Sequence, residues 1–146
     1  MAIALEEILD LCHRFHTVVG IEKGDAAAQA AFFLHPHPLI YVAHAADLTL
    51  QTNYEIHQDM TDEEYFPLEP WDVVQLCDAP ERARAIGAVL WQGRTVGNGD
   101  DGIVKVVVGE DWIVQRTPEG DVKFALYLNT YHQSLPGAMT FSLPQA

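Results

Sequence analysis

The period of apolar and polar positions changes midway along the chain. In the first half, Leu5, Ile8, Leu9, Cys12, Phe15, His16 and Val19 recur at the spacing of one helix face. Glu6, Glu7, Asp10 and Arg14 fall mostly on the other side, which predicts an amphipathic first helix. Gly24 ends the loop that follows, Asp25 is placed to cap a second helix through Ala26–Phe33, and Pro36 and Pro38 stop it, because proline lacks the amide proton a continuing helix needs. Leu39–Ala43 and Leu48–Gln51 are brief apolar runs around the polar link His44–Asp47 and predict a strand pair. Thr52 with Glu55, and Thr61 with Glu64, each fit a capping box. They predict one helix or two short ones over Asn53–Phe66, closed by Pro67 and Pro70.

The second half alternates instead. After the run Trp71–Leu76 and a turn at Asp78-Ala-Pro-Glu81, three segments read as long strands: Arg82–Arg94, Ile103–Arg116 and Asp121–His132. Gly97-Asn-Gly-Asp-Asp-Gly102 and Thr117-Pro-Glu-Gly120 supply hairpin loops, the latter with proline placed for a type I turn. Strands joined this way form one curved antiparallel sheet. Helices first and strands later give an α+β domain with its N-terminal helices on one sheet face. The chain from Leu135 onward contains proline and glycine and is expected to be a loosely docked tail over 135–146. With no internal repeat or linker, the 146 residues are expected to form a single domain, 1–146.

Charge narrows the partners. Eight Lys and Arg stand against 21 Asp and Glu, a formal charge of −13, so the phosphates of a nucleic acid or an anionic membrane would repel the protein. Cys12 and Cys77 are too few and too far apart for a disulfide framework or a CxxC knuckle, which fits a reducing compartment. The N-terminus enters an acidic amphipathic pattern without a basic segment or long apolar run, so the expected location is cytoplasmic.

The order of elements resembles the nuclear transport factor 2-like superfamily. This is the cystatin-like, cone-shaped α+β fold of SnoaL-like polyketide cyclases, ketosteroid isomerase, scytalone dehydratase and limonene epoxide hydrolase. The resemblance covers nearly the whole chain. It rests on the first helix, Lys23-Gly24-Asp25 before the second, the pair Leu39–Gln51, and the block Trp112-Ile-Val-Gln-Arg116 through Phe124. It implies helices packed on the concave sheet face, a cavity for a small, largely apolar organic molecule, and a homodimer. Against the ketosteroid isomerase pattern, the carboxylate base falls on His44, the tyrosine donor on Phe15, and the second acidic donor near Val108. With both donors replaced by apolar groups a dienolate would lack its hydrogen bonds, so steroid isomerisation is rejected. The epoxide hydrolase pattern needs paired aspartates about an arginine. Arg84, Arg94 and Arg116 are present, but the acidic pair has no match on the inner strand positions. The dehydratase pattern of histidines, tyrosines and an Asp is met in composition alone.

If the chain is an enzyme, the resemblance implies cofactor-independent isomerisation, dehydration or cyclisation. His44 is the candidate base, His16 its proton partner, and Tyr127 or Arg116 the group that polarises an oxygen. Phe15, Tyr41, Trp91, Trp112 and Asn129 are the candidate ligand-binding residues. The alternative is a non-catalytic ligand-binding or dimeric protein-interaction module, with His16 a hydrogen-bonded core residue, His44 a loop residue and the tryptophans in the core or an interface. His35-Pro-His37, with His44, His57 and His132 elsewhere, raises a metal reading. The glutamate that a cupin would add is missing, and neither a metal nor a cofactor is expected. Ser134 and Ser142 are the only serines and no Gly-x-Ser-x-Gly elbow exists, against a serine hydrolase. The acidic loop Gly97–Gly102 lacks the lysine of a phosphate cradle and the spacing of an EF-hand.

Overall fold

A computed structural model describes residues 2–76, 79–95 and 102–143. Helix α1, Leu5–His16, opens with Glu7 accepting from the Ala4 amide at 2.9 Å. Glu6 and Glu7 stand in its first turn and His13, Arg14 and His16 in its last, which suits the helix dipole. Ile8, Leu11, Cys12, Phe15 and His16 form its buried face. The helix widens into a π-helical turn, Thr17–Ile21, and Asp25 then caps α2, Ala26–Ala30, by accepting from the Ala28 amide at 2.9 Å. Strands β1, Leu39–Val42, and β2, Leu48–Thr49, pair antiparallel and lead into α3, Leu50–Gln58. The cap of α3 is Thr49, three residues before the expected Thr52, whose amide it accepts at 3.0 Å.

The helix predicted over Asn53–Phe66 stops at Gln58, and β3 runs from Met60 to Leu76. The local capping signal at Thr61 and Glu64 loses to long-range pairing, since β3 is hydrogen-bonded to β4, Ala79–Thr95, along nearly its whole length. Pro67 and Pro70 fit because β3 is the sheet edge, where a strand need not donate outward. Strands β5, Ile103–Arg116, and β6, Val122–Ser134, complete a curved six-stranded sheet of order β2-β1-β6-β5-β4-β3. All neighbours are antiparallel except β1 and β6, which run parallel from Ile40↔Tyr127 to Val42↔Asn129. Cys77, Asp78 and the predicted loop Gly97–Gly102, apart from Gly102, lie outside the described residues.

The helices cover the concave face. Phe15 sits at the centre of that layer, with rings of Phe32, Phe33, Phe124 and Tyr127 at 5.5–5.6 Å. A second apolar group, Met60, Trp91, Val104, Val106 and Val108, fills the other end of the sheet. The tail is docked as far as it is described. The Leu135 amide donates to Lys105 O and the Met139 amide to Ile103 O, each at 2.8 Å, and Phe141 meets Trp91 edge-on at 4.8 Å. Among the described residues no helix is long and apolar enough to cross a membrane.

Candidate active site

A bulge creates the first half of the site. Strand pairing shifts register between Thr61 and Glu64, and Asp62 takes φ +54°, a left-handed conformation that a short polar side chain tolerates. Met60 and Glu63 therefore both turn inward, although three positions separate them. The Glu63 carboxylate, in a residue 2% exposed, is then surrounded by donors. Its Oε1 accepts from His57 Nδ1 at 2.6 Å, Trp91 Nε1 at 2.7 Å and the Tyr65 hydroxyl at 3.1 Å. Its Oε2 accepts from Lys23 Nζ at 2.5 Å, and the same ammonium donates to His57 O at 2.9 Å. Burial alone would raise the Glu63 pKa. The hydrogen bond and charge of His57, with the bonds from Lys23 and Trp91, outweigh it and hold the carboxyl below its ordinary range. His57, in the last turn of α3, commits Nδ1 to this carboxylate and lines the cavity, which leaves Nε2 for a ligand.

The second half is a carboxyl of opposite character. Glu110 occupies the inward phase of β5, between Val108 and Trp112, and is also 2% exposed. Its Oε2 accepts from Trp112 Nε1 at 2.9 Å and from Asn129 Nδ2 at 2.7 Å. Asn129 stands opposite because the pairing passes from Gly109↔Tyr131 to Glu110↔Asn129, skipping Thr130. Burial pushes Glu110 well above the carboxylate range, and these two neutral donors offset only part of it. Both donors sit on Oε2, so the proton belongs on Oε1.

Between them lies a cavity of about 70 Å³, walled by Phe15, His16, Tyr65, Trp91, Val108 and Tyr127, among others. His132, Phe141 and Leu143 also line it, so the tail contributes directly to the wall. His16 Nε2 lies 3.4 Å from the Tyr127 hydroxyl and its Nδ1 3.3 Å from Cys12 Sγ. Burial lowers the His16 pKa to about 3 and that of His132 to about 4, and pushes the Cys12 thiol up. These groups are neutral hydrogen-bonding walls near neutral pH.

Of the residues singled out from the sequence, His16, Tyr127, Phe15, Trp91 and Asn129 reach the cavity. The proposed pairing of His16 with His44 is not formed. His44 is exposed at φ +64° in the turn after β1, outside the cavity lining. The inward phase of β1 carries Ile40 and Val42, and it ends before His44 is reached. Arg116 also stands away from the cavity, bonded to Glu7 at 2.8 Å and Glu81 at 3.0 Å, where it clamps α1 to the sheet. Tyr41 projects outward from β1, and Trp112 lies beneath the cavity, where it holds Glu110 in place.

Sequence reasoning gave no site role to Lys23, Glu63, Tyr65 and Glu110, and met His57 only in the metal reading. Glu63 was hidden by the helical reading of its segment. Glu110 had a visible signal, since Val104, Val106, Val108, Glu110, Trp112 and Val114 alternate inward and one of them is acidic. The comparison that placed the second acidic position near Val108 stopped one inward position short of this carboxyl.

Among the described residues no three His, Cys, Asp or Glu side chains gather as a metal site requires. No protein-family model matches the chain, and no curated protein matches it in sequence. Solved structures do. A hexachlorocyclohexane dehydrochlorinase, LinA-type3, from Novosphingobium barchaimii superposes with a TM-score of 0.62 at 15% identity, over 95% of this chain and 94% of that one. A ketosteroid isomerase-like protein from Erwinia carotovora atroseptica gives 0.59 at 14% identity, over 90% and 95%. A nuclear transport factor 2-like protein from Cytophaga hutchinsonii gives 0.56 at 11% identity, over 88% and 98%. These likenesses span nearly the full length of every chain compared and agree with the helices packed on a curved, unclosed sheet: the protein has the nuclear transport factor 2-like cone fold.

Proposed function

We propose that the cavity binds a small organic molecule and moves a proton on it without a cofactor, with His57 and Glu63 as the basic side and Glu110 as the acidic side. The observation that carries this reading is a pair of buried carboxyls with opposite proton affinities, Glu110 in the cavity wall and Glu63 behind His57 and Trp91 of that wall, the arrangement that separates an acid from a base in one site. His57 Nε2 takes a proton from the carbon beside a carbonyl. The imidazolium so formed is stabilised by Glu63, while Glu110 Oε1 donates to the carbonyl oxygen as it gains charge. Returning the proton to another carbon completes an isomerisation; loss of a leaving group completes an elimination. Two of the similar structures are named as a dehydrochlorinase and as isomerase-like, and both reaction types begin with proton removal.

The test is deuterium uptake. Small open-chain ketones such as acetone and butanone, incubated with the protein in heavy water and followed by NMR, should exchange their α protons in the wild type and not in His57→Ala. Exchange that survives both His57→Ala and Glu110→Gln would overturn the reading.

The second reading, a homodimeric binding module in the cytoplasm, is favoured by Phe66, Val74, Ile86 and Tyr131, large apolar residues left exposed on the long strands. Sedimentation should show a dimer that dissociates when Ile86 is replaced by Asp. A monomeric wild type would remove that reading.

A further inference from the structure

The cavity is too small for a ring. Even an apolar cavity of about 150 Å³ is only enough for benzene, and this one measures about 70 Å³. A second space of about 240 Å³ lies on its far side, a cleft between the end of α1 with its π-helical turn and the start of β3, walled by Cys12, Thr17, Ile21, Phe66 and Pro67. Only His16 and Tyr65 belong to both linings. Their rings stack with centroids 4.1 Å apart and 7° between planes and form the wall the two spaces share, beside Glu63, which lines the cleft and bonds His57 and Trp91 of the cavity.

The partition is held from one direction. Gly20 lets the Tyr65 ring lie against the π-helical turn, where a Cβ would stand 2.7 Å from Tyr65 Cε2. The Tyr65 hydroxyl meets Glu63 at 3.1 Å, while His16 is fixed by Cys12 and Tyr127 at its two nitrogens. Tyr65 is only partly buried, and the cleft beside it opens past exposed Ile21 and Phe66. The contacts of the Tyr65 hydroxyl with Glu63 and His57, and one ring stack, therefore hold Tyr65 between two spaces that, joined, reach the lower end of ligand-site volumes, roughly 300 Å³.

We infer that cavity and cleft are two halves of one binding site, opened when Tyr65 swings from the His16 ring, and that the ligand is a neutral planar ring compound with one oxygen. This rests on the proposed acid and base pair, which would receive the oxygen-bearing end. The ring would lie between His16, Phe66 and the side chains of the cleft. Anions are disfavoured by the formal charge of −13 and by Glu64 in the cleft wall.

The probe is 2-naphthol, a neutral two-ring phenol whose own fluorescence reports binding. Tyr65→Ala removes the partition and Tyr65→Phe loosens it while keeping the ring. Association should quicken by about tenfold or more in the first and by less in the second. Thr17→Trp fills the cleft and Val108→Phe fills the cavity, and each should weaken binding by about tenfold, because the ligand needs both. Gly20→Ala, which displaces Tyr65, should act in the direction of Tyr65→Ala. Unchanged association in both Tyr65 variants, or no binding to wild type and Tyr65→Ala alike, would overturn the inference. So would Val108→Phe without effect, which would make the cleft a separate surface site. Circular dichroism of each variant identifies any that has failed to fold, and Tyr65→Phe carries the test if Tyr65→Ala does. Ketone exchange lost in His57→Ala, together with naphthol binding indifferent to Tyr65, would sink the shared site and leave the catalytic reading intact. Tyr65-dependent binding with exchange indifferent to His57 would do the reverse.

Discussion

Glu63 and Glu110 are the same residue type at the same exposure, Glu110 in the cavity wall and Glu63 one layer behind it at His57, and they hold protons with opposite strength. Burial raises both. Glu63 meets an ammonium, an imidazole, an indole and a phenol, whereas Glu110 meets an indole and a carboxamide. The ammonium of Lys23 and the added donors make the difference, and they come from elements remote in sequence: Lys23 from the loop before α2 and His57 from α3. Acid and base roles here are properties of the surroundings, so altering the surroundings should exchange or erase them.

The largest effect should come from uncoupling the base. Glu63→Gln keeps the shape but removes the charge that supports the His57 imidazolium and replaces one accepting oxygen with an NH₂ donor, so that Lys23 loses its acceptor when the remaining oxygen serves His57. Ketone exchange should fall by about 10³- to 10⁴-fold, as when the orienting carboxylate of a catalytic histidine is neutralised. A loss under about tenfold would mean that His57 works without Glu63. Next, Lys23→Met removes the charge nearest Glu63 and leaves the carboxylate with weaker partners. Breaking a buried pair from one side costs about 3 kcal/mol at the lower end of its range, and that end applies because the Lys23 side chain is 28% exposed. Urea unfolding measures it, and an unchanged midpoint would show that His57 and Trp91 suffice.

Acidity separates the two carboxyls further. The folded pKa of Glu63 lies below its ordinary 4.5, so its contribution to stability is complete above that value and lost as pH falls through the folded pKa. The folded pKa of Glu110 lies above 4.5, so stability declines as pH rises from there through the folded pKa. Glu63→Gln should flatten the acid limb of a stability profile, and Glu110→Gln the limb above it. Glu110→Gln keeps both accepted hydrogen bonds and directs an NH₂ into the cavity, so at about pH 8 it should melt a few degrees higher than wild type. It should also bind ketones as before while turning them over more slowly, since an amide donates a hydrogen bond but gives up no proton. A lower melting temperature at that pH would show Glu110 ionised in the native state.

The sequence displayed what local periodicity controls and concealed what distant pairing controls. The buried face of α1 and the spans of β5 and β6 follow from periods of 3.6 and 2 within one segment. Strand β3 does not, because the bulge at Asp62 and the pairing with β4 are properties of two segments together, and Glu63 was lost with it. The π-helical turn that seats Tyr65 left no mark in the pattern. The ketosteroid isomerase pattern led to His44 because position along β1 was read without the turn that follows, where φ becomes positive and the side chain leaves the concave face.

The smallest expected effects sharpen the comparison by contrast. His44→Ala removes an exposed imidazole that touches no part of the cavity, so exchange and melting temperature should both stay as in wild type. Arg116→Met releases the clamp on Glu7 and Glu81, ion pairs near solvent whose strength salt reduces. Its melting temperature should drop slightly at low ionic strength, and the difference should shrink in molar salt. Turnover should stay unchanged throughout, because Arg116 steadies the start of α1 and not the cavity. A fall in turnover in either variant, with melting unaltered, would mean that charge outside the cavity sets its chemistry and that the contrast between Glu63 and Glu110 is not decided by their immediate partners.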